Sequence, residues 1–334
     1  DFATNNYPPA SIWLHSLLFD LFGVRLSVMR AFLASVGAGI AVMAYVVARR
    51  IMPAGPALVA YLLCLTWNVL NLNTGYPSWY CALLGLAALP AILRYTRTGK
   101  AGWLVLAGAL AGLSLALKTT QGAFQWIGLA LFLAWRSSAG RPDVRRLWSW
   151  ESAFAAATLL LAGFLLRSFP TPANLLLFGA PIVLAALAVV IGRPACEPAC
   201  APRPFLWELL WLGLGLALVT AAWVAPTVAG VGLTLFIEGT FLAPLRHSAF
   251  MYAAIPAPPL TGWLLLVWTL AGGVWLARGR RVRPAGLLAY GALGAILLFL
   301  PVPFSASPRE WLRAGFQTWR DLRFYLTLAT SLVI

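Results

Sequence analysis

Long apolar runs separated by short polar loops dominate the pattern of hydrophobic and polar positions along the chain. Ten runs are complete, and an eleventh begins near residue 324. The complete runs lie near 27–48, 55–72, 77–93, 101–117, 122–136, 152–168, 172–191, 205–226, 259–277 and 285–301. A helix of about 20 apolar residues crosses a bilayer core, whereas open strands would leave backbone groups unpaired in lipid. The pattern therefore predicts an all-α polytopic membrane protein with about eleven transmembrane helices visible.

The first 22 residues follow a different pattern. Pro8 and Pro9 suit the start of a helix, where a missing N–H costs nothing, and Gly23 suits its end. A helix over residues 9–22 would be about 21 Å long at 1.5 Å per residue, which is too short to cross. We expect this helix to lie along the outer membrane interface.

The spans and loops predict one transmembrane domain over residues 1–334, which we expect to be incomplete at both ends. Its parts are an outward loop with the interfacial helix (1–26), ten spans (27–301), an outward segment (302–323) and the start of a further span (324–334).

The composition agrees with a membrane protein. Hydrophobic residues make up 61% of the 334 residues and charged residues 10%, whereas a soluble domain carries roughly 25% charged residues. The net charge of +15 is scattered over short loops, a distribution that favours anionic lipid headgroups over nucleic acid as partners. Cys196 and Cys200 have no further ligands nearby and predict no metal site.

The loop charges predict the orientation. Of the 24 basic residues, 15 fall in alternate loops that begin with Arg49 and Arg50, and 9 fall in the others. Because the richer side faces the cytoplasm, we expect a multi-pass protein of the plasma (inner) membrane. The N-terminal segment, the 118–121 turn and segments 227–258 and 302–323 would face outward.

The outward segments collect carboxylates and cations. Asp1 and Glu238 are candidate catalytic acids, while Lys118, Arg246 and His247 are candidate ligands for a phosphate. Cations can hold a lipid phosphate while a carboxylate takes the proton of an acceptor hydroxyl. The sequence thus favours a reaction on a lipid phosphate and an active site on the outward side. It has no acidic residue in the middle of a span, where ion-coupled transporters usually have one.

Each candidate also has an ordinary explanation. Lys118 could snorkel from a helix end and complement the helix dipole. Glu238 could cap a short helix, and Asp1, Arg246 and His247 could be solvated loop charges. Tyr7, Pro8 and Pro9 could form only a turn.

The order of the motifs is more specific than any single one. The chain reads Asp1-Phe2, then Tyr7-Pro8-Pro9-Ala10-Ser11-Ile12-Trp13-Leu14-His15, then Leu21-Phe22-Gly23-Val24, then Arg30. Further on, a glycine-rich stretch runs from Trp103 through Ala107-Gly108-Ala109-Leu110-Ala111-Gly112-Leu113-Ser114 to Lys118. Over residues 1–125 this order resembles the GT-C membrane glycosyltransferases. The likeness is greatest to the branch with the dolichyl-phosphate-mannose protein mannosyltransferases and the lipid A aminoarabinose transferases.

The resemblance implies a polyprenyl-phosphate-linked sugar as donor and a lipid, glycan or protein as acceptor on the outward (periplasmic) side. It implies a hexosyl or pentosyl transferase of bacterial type, with Tyr7, Pro8 and Pro9 at the substrate pocket. The family's catalytic Asp is expected upstream of residue 1, and Asp1 matches a later acid. Many members have an acid where this chain reads Asn71-Leu72-Asn73-Thr74-Gly75-Tyr76. The need for a divalent metal therefore stays open, and no cofactor is assigned.

Two other classes of function stay open. One is a flippase or transporter for a polyprenyl lipid, and the other is a non-catalytic membrane scaffold. An Asp-containing outward loop after one preceding span would favour the enzyme, whereas a charged cluster at the bilayer midplane would favour transport.

Overall fold

The computed structural model describes residues 10–68, 76–138, 149–166, 180–191 and 203–242. Within those ranges the regular structure is entirely helical, as predicted. In chain order the helices are α1 (Ala10–Phe22), α2 (Leu26–Ile51), α3 (Ala54–Asn68), α4 (Pro77–Thr98), α5 (Gly102–Leu117), α6 (Thr119–Ser138), α7 (Trp150–Leu166), α8 (Ala180–Ile191), α9 (Phe205–Val231) and α10 (Leu233–Ile237), followed by a short π-helix (Glu238–Leu242).

Three helices in the described part are long and apolar enough to cross a membrane, namely Leu26–Arg50, Pro77–Thr98 and Phe205–Val231. Shorter apolar helices cover Ala10–Phe22, Gly102–Leu117 and Trp150–Phe164. These elements coincide with the predicted apolar runs, and the all-α membrane fold is confirmed. The runs predicted at 259–277 and 285–301 and from residue 324 onward lie outside the described residues.

Helix α1 ends where the sequence predicted. Gly23 has φ +82° and donates its backbone N–H to the Phe19 carbonyl at 2.8 Å, a left-handed conformation that glycine adopts without steric cost. Trp13, Leu17 and Leu21 on this helix are 49%, 55% and 65% exposed. Such an apolar surface suits contact with lipid, while the orientation of α1 along the interface stays a prediction.

Contacts divide the chain into two compact units. The first comprises residues 1–156 and 188–251, and the second comprises residues 157–187 and 252–334. Helices α1 to α6, α9 and α10 belong to the first unit. The described part of the second unit consists of the end of α7 and most of α8, both apolar.

The centre of the first unit is the contact between α5 and α9. A Cβ on Gly108 would overlap the backbone carbonyl of Leu212, and a Cβ on Gly215 would overlap that of Val105. Gly112 also faces α9, with the Leu216 carbonyl 3.0 Å from where its Cβ would lie. The absence of side chains at Gly108 and Gly112 lets the two helix backbones touch.

A buried polar network joins three helices at one end of this unit. The Tyr95 hydroxyl donates to Glu208 Oε1 at 2.6 Å, and the Arg136 guanidinium pairs with the same oxygen at 3.1 Å. The side chains of Arg136 and Glu208 are 7% and 0% exposed. The network ties the last turns of α4 and α6 to the first turn of α9. The opposite end of the bundle therefore holds the start of α4, the end of α5 and the start of α6.

Candidate functional site

Lys118 occupies the one-residue junction between α5 and α6, at the end of the bundle opposite the Arg136–Glu208 pair. Its backbone is extended, and its N–H donates to the Ser114 carbonyl at 2.8 Å. The Gly122 N–H donates to the Lys118 carbonyl at 3.0 Å, and a Cβ on Gly122 would overlap the backbone of Leu115. This tight reversal fixes the direction in which the Lys118 side chain leaves the backbone.

The side chain of Lys118 is half-buried and reaches the start of α4. Its Nζ donates to the Ser78 hydroxyl oxygen at 3.0 Å, and burial lowers the pKa of its ammonium group below the ordinary value of 10.5. Among the described residues no carboxylate pairs with it, whereas the buried Arg136 has Glu208. Burial removes part of the hydration of this ammonium, and the neutral hydroxyl of Ser78 does not offset that loss. An anion bound beside the ammonium would offset it.

The first turn of α4 organises the surroundings of Lys118. The thiol of Cys81 contacts the Ser114 carbonyl at 3.4 Å, and the Gln125 amide donates to the Cys81 carbonyl at 2.6 Å. Gly85 leaves room for the Gln125 side chain, since a Cβ there would lie 2.7 Å from its amide nitrogen. These contacts hold α4, α5 and α6 in a fixed arrangement around the junction.

Helix α1 is tied to the same turn of α4. His15 Nε2 lies 2.8 Å from the Tyr80 hydroxyl, and Phe32 of α2 packs against the Tyr80 ring. Burial lowers the pKa of the His15 imidazole below its ordinary value of 6.5, so the neutral ring that can accept a hydrogen bond from Tyr80 is favoured. Helix α1 is thereby fixed beside the first turn of α4.

Three of the predicted outward segments converge at this end. Ala10, the first residue after Pro9, packs against the cluster that contains Leu117 and against a second cluster of Ala116, Trp223 and Phe236. Phe236 precedes Glu238 by two residues, as Ala116 precedes Lys118. The segments that contain Ala10, Lys118 and Glu238 therefore meet at one end of the first unit, with Glu238 exposed at the first residue of the π-helix.

The sequence model of the dolichyl-phosphate-mannose-protein mannosyltransferase family matches residues 6–167. The predicted resemblance is confirmed. The match covers just under half of the chain and supports a membrane glycosyltransferase of the GT-C kind. Comparison with curated proteins gives no significant match, and comparison with solved structures gives none either.

The matched range contains the residues around the junction, including His15, Ser78, Tyr80 and Lys118. Glu238, Arg246 and His247 follow it in the chain. A lipid-linked sugar donor and a glycan or protein acceptor in the membrane are what this family implies.

Several predicted site residues lie outside the described residues, so their roles stay predictions: Asp1, Tyr7, Pro8, Pro9, Arg246 and His247. Of the predicted phosphate ligands the structure describes Lys118, and of the predicted catalytic acids it describes Glu238. Within the described ranges no three His, Cys, Asp or Glu side chains are grouped to hold a metal ion.

Ser78 and the Arg136–Glu208 pair could not be recognised from the sequence. Ser78 follows Pro77 at the start of an apolar run, a position that reads as ordinary helix initiation. Gln125 could have been recognised from the sequence as a residue that contacts another helix, because a lone amide within the apolar run 122–136 needs a hydrogen-bond partner in the helix bundle. Its partner, a backbone carbonyl 44 residues earlier, could not be read from the run itself.

Proposed function

We propose that this glycosyltransferase moves a sugar from a polyprenyl-phosphate carrier to an acceptor hydroxyl on the outward side of the membrane. The observation that carries the proposal is Lys118, a half-buried cation without a described carboxylate partner, at the end where the segments that contain Ala10, Lys118 and Glu238 converge. The matched family is named for mannose carried on dolichyl phosphate, and a donor of that chemical class presents the anion that Lys118 lacks.

The donor phosphate would be held by Lys118, with Arg246 and His247 as further cations from the outward segment 227–258. Charge-assisted hydrogen bonds to phosphate contribute about 1.5–3 kcal/mol each. These cations would also stabilise the charge that develops on the phosphate as it leaves the sugar.

The chemistry is a displacement at the anomeric carbon of the sugar. The acceptor oxygen forms a bond to this carbon, the bond from the carbon to the phosphate oxygen breaks, and polyprenyl phosphate leaves with the bonding electrons. A carboxylate takes the acceptor proton. Asp1 and Glu238 are the candidates in this chain, and Tyr7, Pro8 and Pro9 would border the sugar. The acceptor would be a lipid, a glycan or a protein.

Binding of polyprenyl phosphate to the full chain in nanodiscs tests the phosphate site. We expect Lys118→Ala to raise the dissociation constant about tenfold to a hundredfold, which corresponds to about 1.4–2.8 kcal/mol. Lys100→Ala is the matched control, because Lys100 is the other lysine of the chain and is exposed beyond the far end of α4. Equal binding by the two variants would contradict the site.

A second assay separates the enzyme from a flippase or a scaffold. The chain in vesicles is given a fluorescent polyprenyl-phosphate sugar on one leaflet, and both its arrival on the other leaflet and the amount of sugar on the acceptor are followed. The proposal expects sugar on the acceptor. Transbilayer movement without glycosylated product would indicate a flippase instead, and neither signal would indicate a scaffold.

A further inference from the structure

The hydroxyl of Ser78 is the described partner of the Lys118 ammonium, and the pair joins two helices. The Nζ–Oγ distance is 3.0 Å, and the two residues are 40 positions apart in the chain. Ser78 is the second residue of α4, directly after Pro77, and is half-buried like the lysine. At the N-terminus of α4 the helix dipole also favours an anion.

The pair has unused hydrogen-bonding capacity. An ammonium carries three donor hydrogens and a serine hydroxyl carries one. Ser78 accepts one hydrogen from Lys118, and the described part of the chain offers no acceptor for the Ser78 hydroxyl hydrogen. Two ammonium hydrogens and one hydroxyl hydrogen are therefore left without an acceptor among the described residues.

We propose that Ser78 is a positioning residue of the phosphate site, which holds the Lys118 ammonium with its two remaining hydrogens available to the donor phosphate. This inference rests on the proposed function. The donor phosphodiester has two non-bridging oxygens, and the departing polyprenyl phosphate has three. The ammonium held by Ser78 keeps two hydrogens for these oxygens, so Ser78 acts through Lys118 on the phosphate as the bond to the sugar breaks.

The competing explanation is that Ser78 only helps to start α4. Serine near a helix start is common, and such a role would not depend on Lys118. A role through Lys118, by contrast, makes the effect of removing Ser78 disappear once the lysine is gone, because the two side chains then act as one unit.

The experiment is a double-mutant cycle on polyprenyl phosphate binding by the full chain in nanodiscs at low ionic strength. Ser78→Thr and Ser78→Val form a pair of matched shape that differ in the hydroxyl, and Ser35→Ala is a remote control on α2, where the hydroxyl donates to the Ala31 carbonyl. We expect Ser78→Val to weaken binding about threefold to tenfold, the effect of one lost hydrogen bond. Ser78→Thr and Ser35→Ala should bind like the wild type, and Ser78→Val should change binding less than about twofold when Lys118 is already alanine.

The outcomes separate this inference from the proposed function. If Lys118→Ala weakens binding and Ser78→Val does not, Ser78 has no positioning role and the phosphate site stands. If Ser78→Val weakens binding equally with and without Lys118, Ser78 acts independently and the inference is wrong. If Lys118→Ala binds like the wild type, the phosphate site of the proposed function is itself wrong. The thermal midpoints of Ser78→Thr and Ser78→Val report whether α4 still folds.

Discussion

Arg136 and Glu208 form a buried ion pair at 3.1 Å that links the last turn of α6 to the first turn of α9. The Tyr95 hydroxyl donates to the same carboxylate oxygen at 2.6 Å, and the Arg136 guanidinium lies 5.2 Å from the centre of the Tyr95 ring. Each charge of the pair therefore has a buried partner of opposite sign. Lys118, at the opposite end, lacks such a carboxylate among the described residues, and we interpret this contrast as the difference between a structural cation and a binding cation.

Removing one member of the buried pair should destabilise the protein strongly. Glu208→Gln leaves the Arg136 charge buried without its counter-ion, and losses of about 3–5 kcal/mol are typical of such changes. The measurement is the free energy of unfolding in mixed micelles titrated with denaturing detergent. Asp20→Asn, at an exposed acid on α1, is the control and should change this free energy little. The double variant Arg136→Met/Glu208→Leu should be more stable than Glu208→Gln, and the opposite order would contradict the pairing.

The contact of α5 with α9 should tolerate no side chain at Gly215. Gly215→Ala places a methyl group on the Val105 carbonyl, so we expect a loss of about 1–3 kcal/mol from overpacking. Gly213 lies on the same helix, and a Cβ added there would point into open space, with no neighbouring helix within 4 Å. Gly213→Ala should be neutral or stabilising by up to about 1 kcal/mol, because alanine is the better helix former. Unfolding measured on both variants checks this prediction, and equal effects would mean that the two backbones do not touch.

The position of α1 should depend on pH through His15. Because burial lowers the pKa of His15 in the folded protein below 6.5, the unfolded or undocked state binds the proton more readily. Docking of α1 is therefore fully stabilised above about pH 6.5, the ordinary histidine value, and weakens as the pH falls toward the lowered pKa. Protection factors of α1 amides in hydrogen exchange between about pH 7.5 and about pH 5.5, about one unit on each side of that value, give the measurement.

Two variants define the controls for this pH dependence. His15→Gln keeps a side chain that can bond to Tyr80 but cannot titrate, so its docking should be independent of pH in this range. Tyr80→Phe removes the partner and should loosen α1 at neutral pH. Faster exchange of α1 in His15→Gln at low pH, equal to that of the wild type, would show that another group titrates.

The sequence predicted the helices well, because the length of an apolar run decides whether it can cross a bilayer. The end of α1 at Gly23 and the close approach at Gly108 were also predictable, since both follow from the missing side chain. The partners of Lys118 and Arg136 were not, because Ser78 and Glu208 lie 40 and 72 residues away in the chain. Which side chains meet across helices depends on how each helix is rotated about its axis, and a uniformly apolar run does not encode that rotation.

Sugar transfer by the full chain, with the lysine variants compared side by side, tests the central claim most directly. The assay follows radiolabelled sugar from a polyprenyl-phosphate donor to a mixture of lipid, glycan and protein acceptors, with Asp20→Asn as a folding control. The account predicts transfer by the wild type, undiminished transfer by Lys100→Ala, and a loss in kcat/KM of about tenfold to a hundredfold for Lys118→Ala, because one charge-assisted contact to the phosphate is removed. Transfer by Lys118→Ala at the rate of the wild type, or a wild-type chain that binds the donor and never releases its sugar to an acceptor, would contradict it.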